Sequence, residues 1–260
     1  MSNTGDFNHH IYEAVKATQK IASWALRTFR SRGKLLLRTL LKSVIVPKLE
    51  YGAIVWAPTN AGRINLIENI QRKFTSRIGD YQTYDENLQM PICTVDYWER
   101  LRDLKLFSIE RRFERFIILY MYRFVIGLFD FQIFEIYLER GMMVRRKFKQ
   151  RAPAAIKKLR QSSFFYRGPQ LYNMLPVSLR QFEEITSPNK SHVLAFKAKL
   201  DAFLAIIPDQ PATPQRQRAA ETNSLISLIH QIKPEHQSWT PPEDAEENVE
   251  IDDPYTHQAG

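Results

Sequence analysis

Arginines and lysines recur at helical spacing through residues 23–56, SWALRTFRSRGKLLLRTLLKSVIVPKLEYGAIVW, and no carboxylate appears among them before Glu50. Side chains of this type can donate charged hydrogen bonds to the phosphates of a nucleic-acid backbone. The candidate contacts are Arg27, Arg30, Arg32, Lys34, Arg38 and Lys42, joined by Arg72, Lys73 and Arg77 further along. Arg145, Arg146, Lys147, Lys149 and Arg151 form a second dense group, extended by Lys157, Lys158 and Arg160. Phosphates carry no base identity, so such a surface would bind blind to sequence. Each of these residues could instead solvate a helix face or pair with an acid. Within 27–42 no acid is present to neutralise the cluster, which favours binding there.

Other chemistries find no residues to carry them. His9 and His10 are adjacent near the start, and His192, His230, His236 and His257 stand at no metal-ligand spacing with Cys93. There is no glycine-rich phosphate loop. A single cysteine excludes an internal disulfide and suits a reducing compartment. No cofactor is implied.

The elements that must position the basic residues are mostly helices. Ile11, Val15, Ile21, Ala22, Ala25, Leu26 and Phe29 share one side of a first helix over about 10–31, with Lys16, Lys20, Arg27 and Arg30 on another. Gly33 should end it as a left-handed cap. A second helix from about Lys34 has Leu37, Leu40, Val44, Tyr51 and Val55 as its apolar stripe, and Pro47 should kink or split it. A third spans roughly 61–78 on Ile64, Ile67, Ile70, Phe74 and Ile78. Residues 79–94 read as a loop, followed by a short helix over 95–104 and a long one over 108–129. In the long helix Phe113, Ile117, Tyr120, Met121 and Phe124 should face inward, and Arg111, Arg112 and Arg115 outward. MMVRRKFKQRAP and SSFFYRGP read as extended segments, and helix resumes over 169–174 and 191–206. The aromatics Trp24, Phe29, Phe74, Tyr97, Trp98, Phe113, Tyr120 and Tyr122 could stack on bases, but their helical spacing favours the core. Tyr166 and Arg167 fall at an expected turn and read as structural.

The fold class expected is therefore mainly α, a helical bundle plus a second helical part with a short hairpin or extended segments. The boundaries expected are a unit at 1–79, a loop at 80–94, a helical extension at 95–207 and a mostly disordered acidic tail at 208–260. Composition sets the limits. A hydrophobic share of 44% can build a sizeable core. From Pro208 onward three basic residues meet ten acidic ones, so the net +9 conceals a body of +16. That asymmetry points to a polyanionic partner. The tail is too polar to bury enough surface, although Leu225, Leu228, Ile229 and Ile232 could form a short docking helix. Residues 1–10 resemble no secretory signal. The apolar run FIILYMYRFVIGLF (116–129) is broken by Arg123, so no membrane span is expected.

Six phrases in order carry a family resemblance: WALRTFRSR (24–32), LLKSVIVPKLEYGAIVWAP (40–58), IENIQRKFTSRI (67–78), YWERLRDLKLFSIERRFERFIILYMYRF (97–124), SFFYRGPQLYNMLP (163–176) and FKAKLDAFLAIIPDQP (196–211). With ETNSLISLI (221–229), the chain resembles the C-terminal part of non-LTR retrotransposon reverse transcriptases of the Jockey-like and chicken-repeat-like lineages. The likeness covers about residues 11–232. It implies a thumb in the first three helices, lying against a template–primer duplex, and a C-terminal extension over 95–206. It also implies a nuclear location and, as a further partner, a polymerase palm acting in trans.

Such a polymerase needs carboxylates that hold two divalent metals. In the family these lie in a palm, upstream of the matched region. The one Asp-Asp pair here, Asp252-Asp253, lies in the acidic tail ahead of Pro254, without apolar strands around it. The expectation is a noncatalytic fragment that binds the backbone of an RNA–DNA or DNA duplex. The alternative is an inactive remnant or a protein-interaction scaffold.

Overall fold

In the computed structural model the described residues are 7–129, 136–139, 142–145, 162–180, 187–210, 223–228, 238–242 and 245, the two segments 136–139 and 142–145 by their backbone alone. The fold is mainly helical, with short antiparallel hairpins. The described residues form two compact units. One holds residues up to 112 with 209–210, the other 113–208 and the residues from 223 onward. The expected extension over 95–207 is thus divided, with 95–112 falling in the first unit.

In the first unit, α1 (Asn8–Thr28) buries Ile11, Val15, Thr18, Ala22 and Ala25, spaced alternately by four and three residues. It ends three residues before the expected boundary. Gly33 is extended, not left-handed, and leads into α2 (Lys34–Leu40). A π-helical turn, Leu41–Ile45, joins α2 to α3 (Val46–Glu50), so the chain stays helical through Pro47, which stands in the first turn of α3. A π turn takes in an extra residue, and every later side chain changes its facing. Leu37 and Leu40 are buried as expected. Through and beyond the wide turn the buried apolar residues include Leu41, Ile45, Val46, Leu49, Ala53 and Trp56, while Val44, Tyr51 and Val55 are exposed. α4 (Ala53–Trp56) follows a left-handed Gly52.

α5 (Ala61–Thr75) is capped by Asn60, whose side chain accepts the Gly62 N–H at 2.9 Å. Its stripe Ile64, Ile67, Ile70, Phe74 and the following Ile78 is buried throughout. The expected loop over 79–94 is instead a hairpin, β1 (Gln82–Asp85) with β2 (Met90–Cys93), pairing Gln82 with Cys93 and Asp85 with Met90. Asp85 Oδ1 accepts the N–H groups of Asn87 (2.8 Å) and Leu88 (3.2 Å), an Asx turn that closes the loop. α6 (Tyr97–Asp103) starts on Asp96, which caps Trp98.

α7 (Ile109–Val125) begins in the first unit, where Ser108 N–H and Oγ–H donate to the two oxygens of Asp209 at 2.6 and 2.7 Å. Arg111, Arg112 and Arg115 do not form an exposed face. Arg111 and Arg115 are buried, and Arg112 is bound to the buried Glu50.

In the second unit, α7 packs Phe113, Ile117 and Met121 inward as expected. A hairpin pairs β3 (Ile136–Glu139) with β4 (Met142–Arg145); only β4 falls in the first of the two expected extended segments, whose remainder, 146–153, lies outside the described residues. The other, SSFFYRGP, is not extended. It lies largely in α8 (Phe164–Asn173), with Pro169 inside the helix. Gly168 explains the choice of residue: a Cβ there would lie 2.8 Å from Met121 Cγ and closer still to its sulfur. Gly168→Ala should lower stability by about 1–3 kcal/mol, since overpacking a tight crossing outweighs the ~1 kcal/mol gain in helix propensity. A urea melt no weaker than that of the parent would contradict this.

α9 (Val177–Arg180) and α10 (Lys190–Ile206) complete this core. Tyr122 and Phe196 stack at 3.8 Å, and Arg115 makes a two-point pair with Asp201, its Nη2–Oδ2 contact being 2.8 Å. The expected docking helix is present as α11 (Leu225–Leu228). Its N-terminus is held by buried Glu114, which accepts from Leu225 N–H (2.7 Å) and Ser224 Oγ–H. Ile229, Ile232, Asp252 and Asp253 lie outside the described residues.

Candidate nucleic-acid interface

The expected basic cluster divides into two groups with different uses. Helix C-termini leave carbonyls without intrahelical donors and carry partial negative charge, so cations there first serve the fold. Arg32 folds back on α1, its guanidinium donating to the carbonyls of Phe29 and Leu26, each at 2.6 Å. Lys34 pairs with Asp103 at 2.6 Å, and Arg38 Nε donates to the Leu104 carbonyl at 2.7 Å. Both hold α2 to the end of α6. Arg72 bonds Asn69 at 2.7 Å and lies 4.7 Å over the Tyr97 ring. These four side chains thus have partners within the unit. Lys42 is half-buried.

Asp103 is where the sequence reading of the cluster fails, because its acid comes from 69 positions away. The Lys34 ammonium and the Tyr81 hydroxyl both donate to it and hold its carboxyl below the usual range. Burial and that same bond push the Tyr81 hydroxyl well up.

Arg27, Arg30, Lys73 and Arg77 are exposed, and their side chains make no hydrogen bond or ion pair with another described residue. The fold brings them toward one end of the unit. Gly79 N–H donates to the Arg32 carbonyl at 2.9 Å, tying the chain that leaves α1 to the chain that leaves α5. Two cations thus come from each helix end. Exposed Asp80 is the nearest acid in sequence and pairs with none of them. Of the second basic group, Arg145 is placed in β4 by its backbone only. Arg146, Lys147, Lys149 and Arg151 lie outside the described residues, as do Lys157, Lys158 and Arg160.

Half of the aromatics considered for stacking are core residues: Phe74, Tyr97, Phe113 and Tyr122 are buried. Phe29, Trp98 and Tyr120 are half-buried, and Trp24 is the most open of the eight, 51% exposed. The sequence held a signal for this, since Trp24 stands two residues past Ala22 on a helix whose buried stripe runs through Ala22 and Ala25.

Among the described residues no group of histidine, cysteine, aspartate or glutamate side chains could hold a metal ion, and no helix is long and apolar enough to cross a membrane. The surface can therefore offer charge, hydrogen-bond donors and one open indole. No protein-family model, curated protein or solved structure matches the chain. Its functional reading rests on its own residues.

Proposed function

We propose that this chain is a noncatalytic nucleic-acid-binding piece of retroelement origin, gripping the phosphate backbone without reading bases. The observation that carries the proposal is that Arg27, Arg30, Lys73 and Arg77 have exposed side chains without a partner among the described residues, on two helix ends joined by a backbone hydrogen bond. The +16 body supplies a long-range field that would steer a polyanion toward them. The six collinear phrases support descent from a reverse transcriptase C-terminal region, and through it an RNA–DNA duplex as ligand and a palm in trans as partner. No polymerase or nuclease activity is proposed.

The test is binding to a short RNA–DNA duplex over a salt series. Each phosphate contact contributes a slope of about −0.9 in log K against log salt for B-form DNA. The R27A/R30A/K73A/R77A variant should weaken binding and flatten the slope by about 3.6. Undetectable binding near 50 mM salt, or a slope unchanged in the variant, would overturn the reading.

One observation supports a second reading, a protein-interaction scaffold. Val44, Tyr51 and Val55 are 36%, 69% and 64% exposed. Where such apolar side chains form one contiguous patch they mark a contact surface. Self-association that strengthens with salt, without oligonucleotide binding, would favour the scaffold.

A further inference from the structure

The surface of α1 carries a more specific ligand preference than phosphate alone. The buried residues Thr18, Ala22 and Ala25 have Lys20, Trp24 and Arg27 two positions after them, and at 100° per residue these face the opposite side of the helix. Lys16 extends the same exposed line one turn earlier. Any packing that buries the Ile11–Ala25 stripe must leave Trp24 outside. Its exposure is thus a property of α1 itself.

The indole is open to a ligand. Its aromatic contact is T-shaped with Phe29, centroids 6.4 Å apart and planes at 86°, so no parallel ring covers a face. Its Nε1–H has no acceptor among the described residues. Lys16, Lys20 and Arg27 are exposed and make no ion pair with another described residue. Side chains three and four apart on a helix are neighbours, about 5–6 Å between Cβ atoms, so Lys20 and Arg27 flank the indole on both sides. The one carboxylate of α1, Glu13, lies well before them.

We infer that this surface takes single-stranded nucleic acid, with a base stacked on Trp24 and phosphates held by Lys20 and Arg27. The inference rests on the backbone-binding reading and names the strand it prefers. In a duplex both faces of every interior base are covered by its neighbours, and an indole on a convex helix gains nothing from them. In a single strand the face is free, and stacking on an aromatic contributes to binding whatever the base. Cation on either side of an aromatic is the arrangement that follows a strand's alternation of phosphate and base.

The experiment compares labelled oligo-dT with a blunt DNA duplex of the same length by fluorescence anisotropy, using the full chain and its W24A, W24F and R27A/R30A/K73A/R77A variants. W24A should weaken oligo-dT about tenfold and leave the duplex within about twofold, with W24F retaining most of the affinity. The quadruple variant should weaken both. If W24A changes neither ligand, or both by the same factor, the stacking inference falls while the backbone reading stands on the quadruple variant. If the parent chain binds neither ligand, both fall. Anionic vesicles without nucleic acid form the last arm. Tryptophan emission that responds to them and not to oligo-dT in the parent, and to neither in W24F, would make this a lipid-facing surface and overturn the inference.

Discussion

Replacing Arg112 by leucine should cost about 3–5 kcal/mol of unfolding free energy, the largest loss expected from any single change in the first unit. Glu50 ends α3 with its side chain fully buried, and Oε1 accepts from Arg112 Nε. Oε2 finds no hydrogen-bond partner, so the pair has no reserve. The site is already unfavourable for a carboxylate, because a helix C-terminus carries partial negative charge. Without Arg112 the Glu50 charge is left in a medium that cannot solvate it, and removing one partner of a buried pair is costly for that reason. Removing both partners takes away the demand itself. The E50L/R112L variant should therefore recover most of the loss, and urea unfolding of the parent, the two singles and the double would measure it. Should R112L unfold within about 1 kcal/mol of the parent, the pair is solvated and the argument fails.

Stability should also decline as pH rises from about 5 toward 8, through Glu68. This carboxyl is buried among α5, α6 and the start of α7, and accepts from the Tyr97 hydroxyl and from Ile109 N–H at 2.9 Å. Burial pushes it up to about 7 from 4.5, and the charge of Asp209 adds to the rise; the bonds from Tyr97 and Ile109 and the nearby Arg72 cation only partly oppose it. Between those values the folded state keeps a proton that the unfolded chain has released. Stability is then fully present below about 4.5 and lost as pH passes about 7. The shift corresponds to about 3 kcal/mol. E68Q cannot ionise, so its unfolding free energy should vary less over the same range, by about that amount. Parallel pH curves for parent and E68Q would refute the assignment.

Much of the helical frame was legible in the chain. The α5 stripe could be read residue by residue, because a single apolar face at a constant 3.6-residue period has one solution. The α2–α4 stripe was read correctly at Leu37 and Leu40 and wrongly at Val44, Tyr51 and Val55. The π turn between them changes the period without any unusual residue type to announce it. In α8, Gly168 and Pro169 argued against a helix on local grounds. The close approach of Met121 overrode them, a fact of packing and not of propensity. The hairpin over 82–93 did carry a signal, Asp85 two residues before Asn87, which a reading by apolar period passes over.

Composition and periodicity alone were enough to give a predominantly helical body with a large positive excess, its basic residues recurring at helical spacing. Charge and periodicity are sums along the chain and survive any folding. Which cations keep a side chain without a partner depends on the fold. Arg32, Lys34, Arg38 and Arg72 were as promising as their neighbours until the fold supplied acceptors, among them Asp103 from far along the chain and carbonyls that the ends of α1 and α6 leave open. Pairing depends on separation in space, and a linear order of residues does not contain it. Of the first group of candidates the fold leaves Arg27, Arg30, Lys73 and Arg77 exposed without a side-chain partner among the described residues, and Trp24 lies exposed on α1.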